Sequence, residues 1–122
     1  MFPYALSFIP PIPGLDIDIL HTLTSARATV FAKIDTAADQ TIIPEAIVDI
    51  LALEPQGLAI AEPVDSQSRV YVTYTCDLII AGRQFIELEA AAAPINYILL
   101  GRDVLNELLI TLDGPRRQFL IG

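Results

Sequence analysis

Ala32-Lys33-Ile34-Asp35-Thr36-Ala37-Ala38-Asp39 is the stretch that decides how the rest of the chain reads. Upstream of it, Arg27 to Ile34 places apolar residues at Ala28, Val30, Ala32 and Ile34, the two-residue period of a strand with one buried face. The strand runs straight into Asp35, and Thr36, Ala37 and Ala38 are too small to form a core element. A carboxylate therefore stands at a strand end, followed by a hydroxyl and by small residues that let backbone amides approach it. Such a setting can hold Asp35 in one geometry. On its length alone, the segment reads at least as well as a plain Asp-Thr turn with a solvated carboxylate.

A second stretch, Ile98-Leu99-Leu100-Gly101-Arg102-Asp103-Val104-Leu105, follows 63 residues after Asp35, counting to Ile98. Gly101 permits close packing, Arg102 carries a planar fork that can grip a carboxylate at two points, and Asp103 can cap a helix bearing Val104, Leu105 and Leu108. Asp39 is the natural partner for Arg102. A helix start with an exposed arginine accounts for the segment equally well when it stands alone.

Working outward, Phe2 to Ile9 reads as a first strand stopped by Pro10, Pro11 and Pro13. Asp16 to Leu23 alternates Ile17, Ile19 and Leu23 against Asp16, Asp18 and Thr22, and forms a hairpin with Arg27 to Ile34. Pro44 and Glu45 suit a first helical turn, with Ile47, Ile50 and Leu51 on one face before Glu54-Pro55 ends the helix. Leu58 to Val64 and Arg69 to Thr75 make a second hairpin around the polar tip Asp65-Ser66-Gln67-Ser68. Leu78 to Ile80 and Phe85 to Ala91 pair across Ala81-Gly82-Arg83. Leu109 to Asp113 and Gln118 to Ile121 flank the turn Asp113-Gly114-Pro115-Arg116. Seven or more short strands and two short helices, without alternating strand and helix units, define a mainly β class. Tyr71 and Tyr74 read as ordinary cross-strand partners or as groups near a ligand.

The chain has 122 residues, 53% hydrophobic and 18% charged, with a mean hydropathy of +0.54. That is one domain's length, 1–122, with enough apolar surface for a single core. Fifteen acidic against seven basic side chains leave a net charge of -8, which repels phosphate backbones and anionic lipid. No nucleic-acid or membrane partner is expected. Met1 to Leu15 lacks a basic start and is broken by prolines, so it reads neither as a signal peptide nor as a span, and a cytoplasmic location is expected. Cys76 is the only cysteine, which excludes an intrachain disulfide and reads as an inert buried thiol. Asp16, Asp18 and His21 are capable of binding a metal, but strand alternation points His21 away from the two aspartates. Neither a metal nor another cofactor is expected.

Together the two quoted stretches resemble the retropepsin-like (retroviral-type) aspartic proteases. Asp35 to Asp39 is similar to their Asp-Thr-Gly-Ala-Asp signature, and Ile98 to Leu105 to their second, hydrophobic-Gly-Arg-Asp/Asn signature, in the same order and with a hairpin between. The resemblance implies a closed retropepsin-like acid protease barrel with one or two short helices and one lobe per chain. It implies that Asp35, Thr36 and Ala37 form the catalytic loop, with Thr36 bracing it across a subunit interface. Ala38 and Asp39 would line the cleft, Val64, Asp65 and Ser66 would lie on a flap over a bound peptide, and Asp39, Gly101, Arg102 and Asp103 would support the loop. Phe2 to Phe8 and Gln118 to Ile121 could contribute to an interface sheet.

One chain carries one Asp-Thr motif, whereas activating a water against a peptide carbonyl takes two carboxylates, one accepting a proton and one donating. Two copies of Asp35 meeting at a two-fold axis supply the pair, since two like charges so close share one proton. The expected protein is a homodimeric aspartic endopeptidase acting on a peptide or protein substrate. Ala37 stands where the resembled signature has Gly, and it motivates an alternative, a catalytically impaired dimeric peptide-binding or interaction module. If the backbone there is left-handed, or if it abuts the partner loop, the methyl group costs on the order of 1 kcal/mol or more.

Overall fold

Alternation along the chain from Gly14 to Ile34 builds the first hairpin, and the remaining strands close around it. In the computed structural model, which describes residues 1–61 and 68–122, β1 (Phe2–Pro3) is followed by β2 (Gly14–Leu20), β3 (Arg27–Ile34) and β4 (Ile42–Pro44). Then come α1 (Glu45–Leu51), β5 (Pro55–Ala61), β6 (Arg69–Ile80), β7 (Arg83–Ala93) and β8 (Ile98–Leu100). A single helical turn, α2 (Arg102–Leu105), precedes β9 (Ile110–Asp113) and β10 (Gln118–Ile121).

The larger sheet has the order β2-β3-β8-β4-β7-β6-β5, and a further pairing of β2 with β6 closes six of these strands into a barrel. In the β2–β3 hairpin Ile17 faces Val30 and Ile19 faces Ala28, so the apolar sets of both strands fall on the inner face. Cys76, Leu78 and Ile80 of β6, Ile98 and Leu100 of β8, and Val104 of α2 join them in one core. Ala90 to Ala93 are all buried. This part of β7 lies between β4 and β6, and small residues let its neighbours pack on both faces. Two pairings are parallel, β3 with β8 and β4 with β7. The first of these carries the end of β3 to the end of β8, where the two stretches singled out in the sequence meet.

The mainly β class and the hairpins stand, while several boundaries differ from the sequence reading. The first strand is only Phe2–Pro3, because beyond it the chain turns back through one bridge between Ala5 and Ile12. In α1 Ile50 is exposed and Val48 is buried instead; at 100° per residue Ile47, Val48 and Leu51 share a face that Ile50 leaves. Pro44 ends β4 in extended geometry and stands just before the helix rather than within its first turn. Arg69 to Thr75 and Leu78 to Ile80 belong to one twelve-residue strand, bulged between Cys76 and Leu78. The bulge is held by the Asp77 carboxylate, which accepts the Glu87 N–H at 2.9 Å and the Thr22 hydroxyl at 2.8 Å. Tyr71 pairs across the hairpin with Ala59.

A smaller sheet orders β1-β10-β9. The Asp113 to Arg116 turn lays β10 along β9, and β1 adds to its other side at Gln118 and Phe119, which leaves Leu120 and Ile121 without a β1 partner. Phe119, 1% exposed, anchors this sheet, stacked on Phe2 at 5.3 Å and tilted against Tyr4 at 6.2 Å. Among the described residues no helix is long and apolar enough to cross a membrane.

Phe119→Ala is expected to cost about 3–4 kcal/mol in urea unfolding, since a large ring is lost where two other rings rest on it. Burial, with the nearby charges of Asp77 and Asp103 adding to it, pushes the Cys76 thiol up from its usual 9.0 to about 12. The folded state thus favours the neutral thiol, a contribution fully present below pH 9 and lost as pH rises toward 12. In the native protein Cys76 is expected to resist iodoacetamide at pH 8 and to react once denaturant is added.

Candidate active site

Asp35 follows β3 by one residue, and its N–H donates to the Leu100 carbonyl at 3.1 Å, extending the parallel β3–β8 pairing one step. Ala32 and Ile34 face the core, so the same alternation turns Asp35 to the opposite side, where it is half-buried. The chain then bends tightly: the Ala37 N–H donates to Asp35 Oδ1 at 3.1 Å and the Ala38 N–H to the Asp35 carbonyl at 3.2 Å. The small side chains of Thr36 to Ala38 allow this approach. Asp35 Oδ2 and the Thr36 hydroxyl have no hydrogen-bond partner among the described residues, and Thr36 and Ala37 are exposed.

Among the described residues left-handed backbone occurs at Ser25, Ala52, Ala81, Gly82, Glu87 and Arg117, and not at Ala37. The methyl group of Ala37 therefore carries no backbone penalty in this loop.

The loop is tied along its length to the second stretch. Arg102 donates its backbone N–H to the Ala38 carbonyl at 2.9 Å and its Nη1 to the Thr36 carbonyl at 3.0 Å, while Nη2 pairs with Asp39 Oδ1. The ion pair is exposed, and by itself it contributes little. One residue spanning three points of the loop fixes its shape all the same. Deeper in, the fully buried Thr41 donates its N–H to both oxygens of Asp103 at 3.0 Å and its hydroxyl to Asp103 Oδ1 at 2.8 Å. The same hydroxyl accepts the Gly101 N–H at 3.1 Å. Asp103 is thus a receiver for Thr41 inside the first turn of α2, and Gly101, without a side-chain cap, occupies the capping position expected for Asp103. Leu108 lies beyond the helical turn. A Cβ on Gly101 would meet the Gln40 backbone carbon at 2.5 Å, and the main chain has no room to yield.

Of the residues singled out in the sequence, Asp35, Thr36, Ala37, Ala38, Asp39, Gly101, Arg102 and Asp103 come together here. Val64, Asp65 and Ser66 lie outside the described residues. Asp16, Asp18 and His21 do not gather. The Asp18 carboxyl is held below the usual carboxylate range, first by the Thr29 hydroxyl at 2.7 Å and then by Arg27 at 2.6 Å. His21 Nδ1 accepts the N–H groups of Leu23 and Thr24 at 3.0 and 3.2 Å. Among the described residues no three His, Cys, Asp or Glu side chains form a metal site. Thr41 was not legible as part of the site, since its partners are 60 and 62 positions away.

No protein-family profile and no curated protein matches this sequence. Solved structures do. The EIAV protease complexed with the inhibitor HBY-793 matches with a TM-score of 0.63 at 19% identity, covering 79% of this chain and 86% of that one. The solution structure of the simian foamy virus (mac) protease matches with a TM-score of 0.56 at 22% identity, covering 77% and 92%. The foamy viral protease-reverse transcriptase in complex with an RNA/DNA hybrid matches with a TM-score of 0.58 at 20% identity over 79% of this chain, which spans only 12% of that protein. The chain has a retropepsin-like fold, the fold of the retroviral proteases.

Thr41→Val is expected to lower stability by roughly 2 kcal/mol, because it strands the buried Gly101 N–H and removes one charged hydrogen bond. Thr41→Ser should retain most of it, as read from urea midpoints.

Proposed function

We propose that the protein is an aspartic endopeptidase that works as a homodimer, with two Asp35 carboxylates flanking the attacking water. The observation that carries this reading is the posture of Asp35. It stands at a strand end, with one oxygen held by the Ala37 N–H and the other without a partner, on a chain with the retroviral protease fold. In the proposed mechanism one carboxylate takes a proton from the water as it attacks the peptide carbonyl, and the other, protonated, donates to the carbonyl oxygen. Sharing one proton between close like charges is what makes the two copies unequal.

Supporting roles follow from position. Arg102 and Asp39 shape the loop beside the cleft, and the unpartnered Thr36 hydroxyl is free to bond the equivalent loop of a second subunit. The β5–β6 hairpin would cover an extended peptide held by main-chain hydrogen bonds. No cofactor enters the scheme. The single buried thiol suits a cytoplasmic setting. The alternative, a silent peptide-binding dimer, rests on Ala37, and because the backbone there is not left-handed its one remaining physical motive is a clash of the methyl group with the loop of a second subunit.

Digestion of a peptide library at mildly acid and neutral pH is expected to give cleavage by the native protein. Asp35→Asn should lower the rate about 10^3-fold or more. Specific activity should also fall on dilution as dimers dissociate. Equal cleavage by both proteins, or full activity from a strictly monomeric chain, would overturn the proposal.

A further inference from the structure

Lys33, the only lysine of the chain, lies two residues before Asp35 on β3 and on the same side of it, opposite the core-facing Ala32 and Ile34. Along a strand that separation is roughly 6–7 Å. Its register partner on β8 is Leu99, and the Tyr97 ring just before β8 lies 3.8 Å from the Lys33 ammonium. On the other side the Phe8 ring stands 4.2 Å away, itself stacked on Phe31 at 5.8 Å and edge-on to Tyr97 at 6.2 Å. Phe8 comes from the loop closed by the Ala5–Ile12 bridge, so two segments outside β3 converge on its ammonium group.

The way this cation is held is unusual for so acidic a protein. Arg27, Arg83, Arg102 and Arg116 each pair with a carboxylate, while Lys33 pairs with none among the described residues. Ring faces attract a cation and fix its position, but they accept no classical hydrogen bond, and an ammonium has three N–H donors. The result is a positioned positive charge with unspent donors, half-buried, one strand-step from Asp35.

We infer that Phe8, Lys33 and Tyr97 form a specificity pocket for the carboxylate of a Glu or Asp side chain next to or near the scissile bond. This rests on the proteolytic reading of Asp35. The rings shape the pocket walls and Lys33 supplies the charge. The acidic surface of the rest of the chain repels acidic peptides at long range, so the preference acts at contact and is screened by salt.

The test uses N-acetylated, C-terminally amidated peptides that differ only in Glu or Gln at the positions flanking the cleaved bond, chosen from the library digest. The native protein is expected to favour Glu over Gln by about tenfold in kcat/KM, and less at 0.5 M salt. Lys33→Met should abolish the preference and Lys33→Arg should keep it. Equal rates for the two peptides with native protein, or a Glu preference that survives in Lys33→Met, overturns the inference and leaves the protease reading standing. Binding of the same peptides to Asp35→Asn reads the pocket without any cleavage. If the native protein cleaves nothing, the protease reading fails, and binding is read instead with extended library peptides that differ only in Glu or Gln at one position: a Glu preference that depends on Lys33 still supports the pocket, whereas equal binding removes it.

Discussion

Thr41 gripping Asp103, with Gly101 pressed against the Gln40 backbone, is the contact on which the rest depends. It joins two segments far apart in sequence at a point where neither can shift. A carboxylate that receives two N–H contacts and a hydroxyl, and a hydroxyl that in turn receives a buried N–H, leave no donor unmet. The loop above inherits this rigidity. Arg102 follows Gly101 directly, so its three contacts with Thr36, Ala38 and Asp39 are set by where Gly101 sits. Asp35 takes its direction from the same source, since its N–H bonds Leu100, the residue just before Gly101.

Locally encoded features were legible from the sequence. The β2–β3 hairpin announced itself through the alternation of Ile17 and Ile19 against Asp16 and Asp18. The turn at Asp113 to Arg116 was carried by Gly and Pro. The Asp35 and Gly101 segments could be paired because their residue types belong to one kind of chemistry. What escaped was non-local. β4 is three residues long and exists because β7 and β8 flank it, and β8 had no alternation to betray it, since Ile98 and Leu100 are buried and Leu99 sits between them half-covered. The run Ala90 to Ala93 carried no period for the same reason. Thr41 and Lys33 look unremarkable in a linear string; their meaning lies in partners that only the closed barrel delivers.

Ala37 illustrates how a departure from a motif has to be weighed by conformation rather than by letter. Glycine is required where the backbone turns left-handed or where a neighbour leaves no room. Gly101 meets the second condition by a wide margin, whereas Ala37 does not meet the first. Two positions that look alike in a motif therefore differ in their tolerance.

The placement of β10 between β1 and β9 has a consequence for how two copies relate. Each chain pairs its terminal strands in part internally, Phe2 and Pro3 with β10 and the whole of β10 with β9, before it meets a neighbour. Pairing of the proposed subunits would then be an equilibrium distinct from folding. On the proposed dimeric reading, a chain whose ends are already partly paired would wait as a dormant pool, and local abundance would decide when complete sites exist.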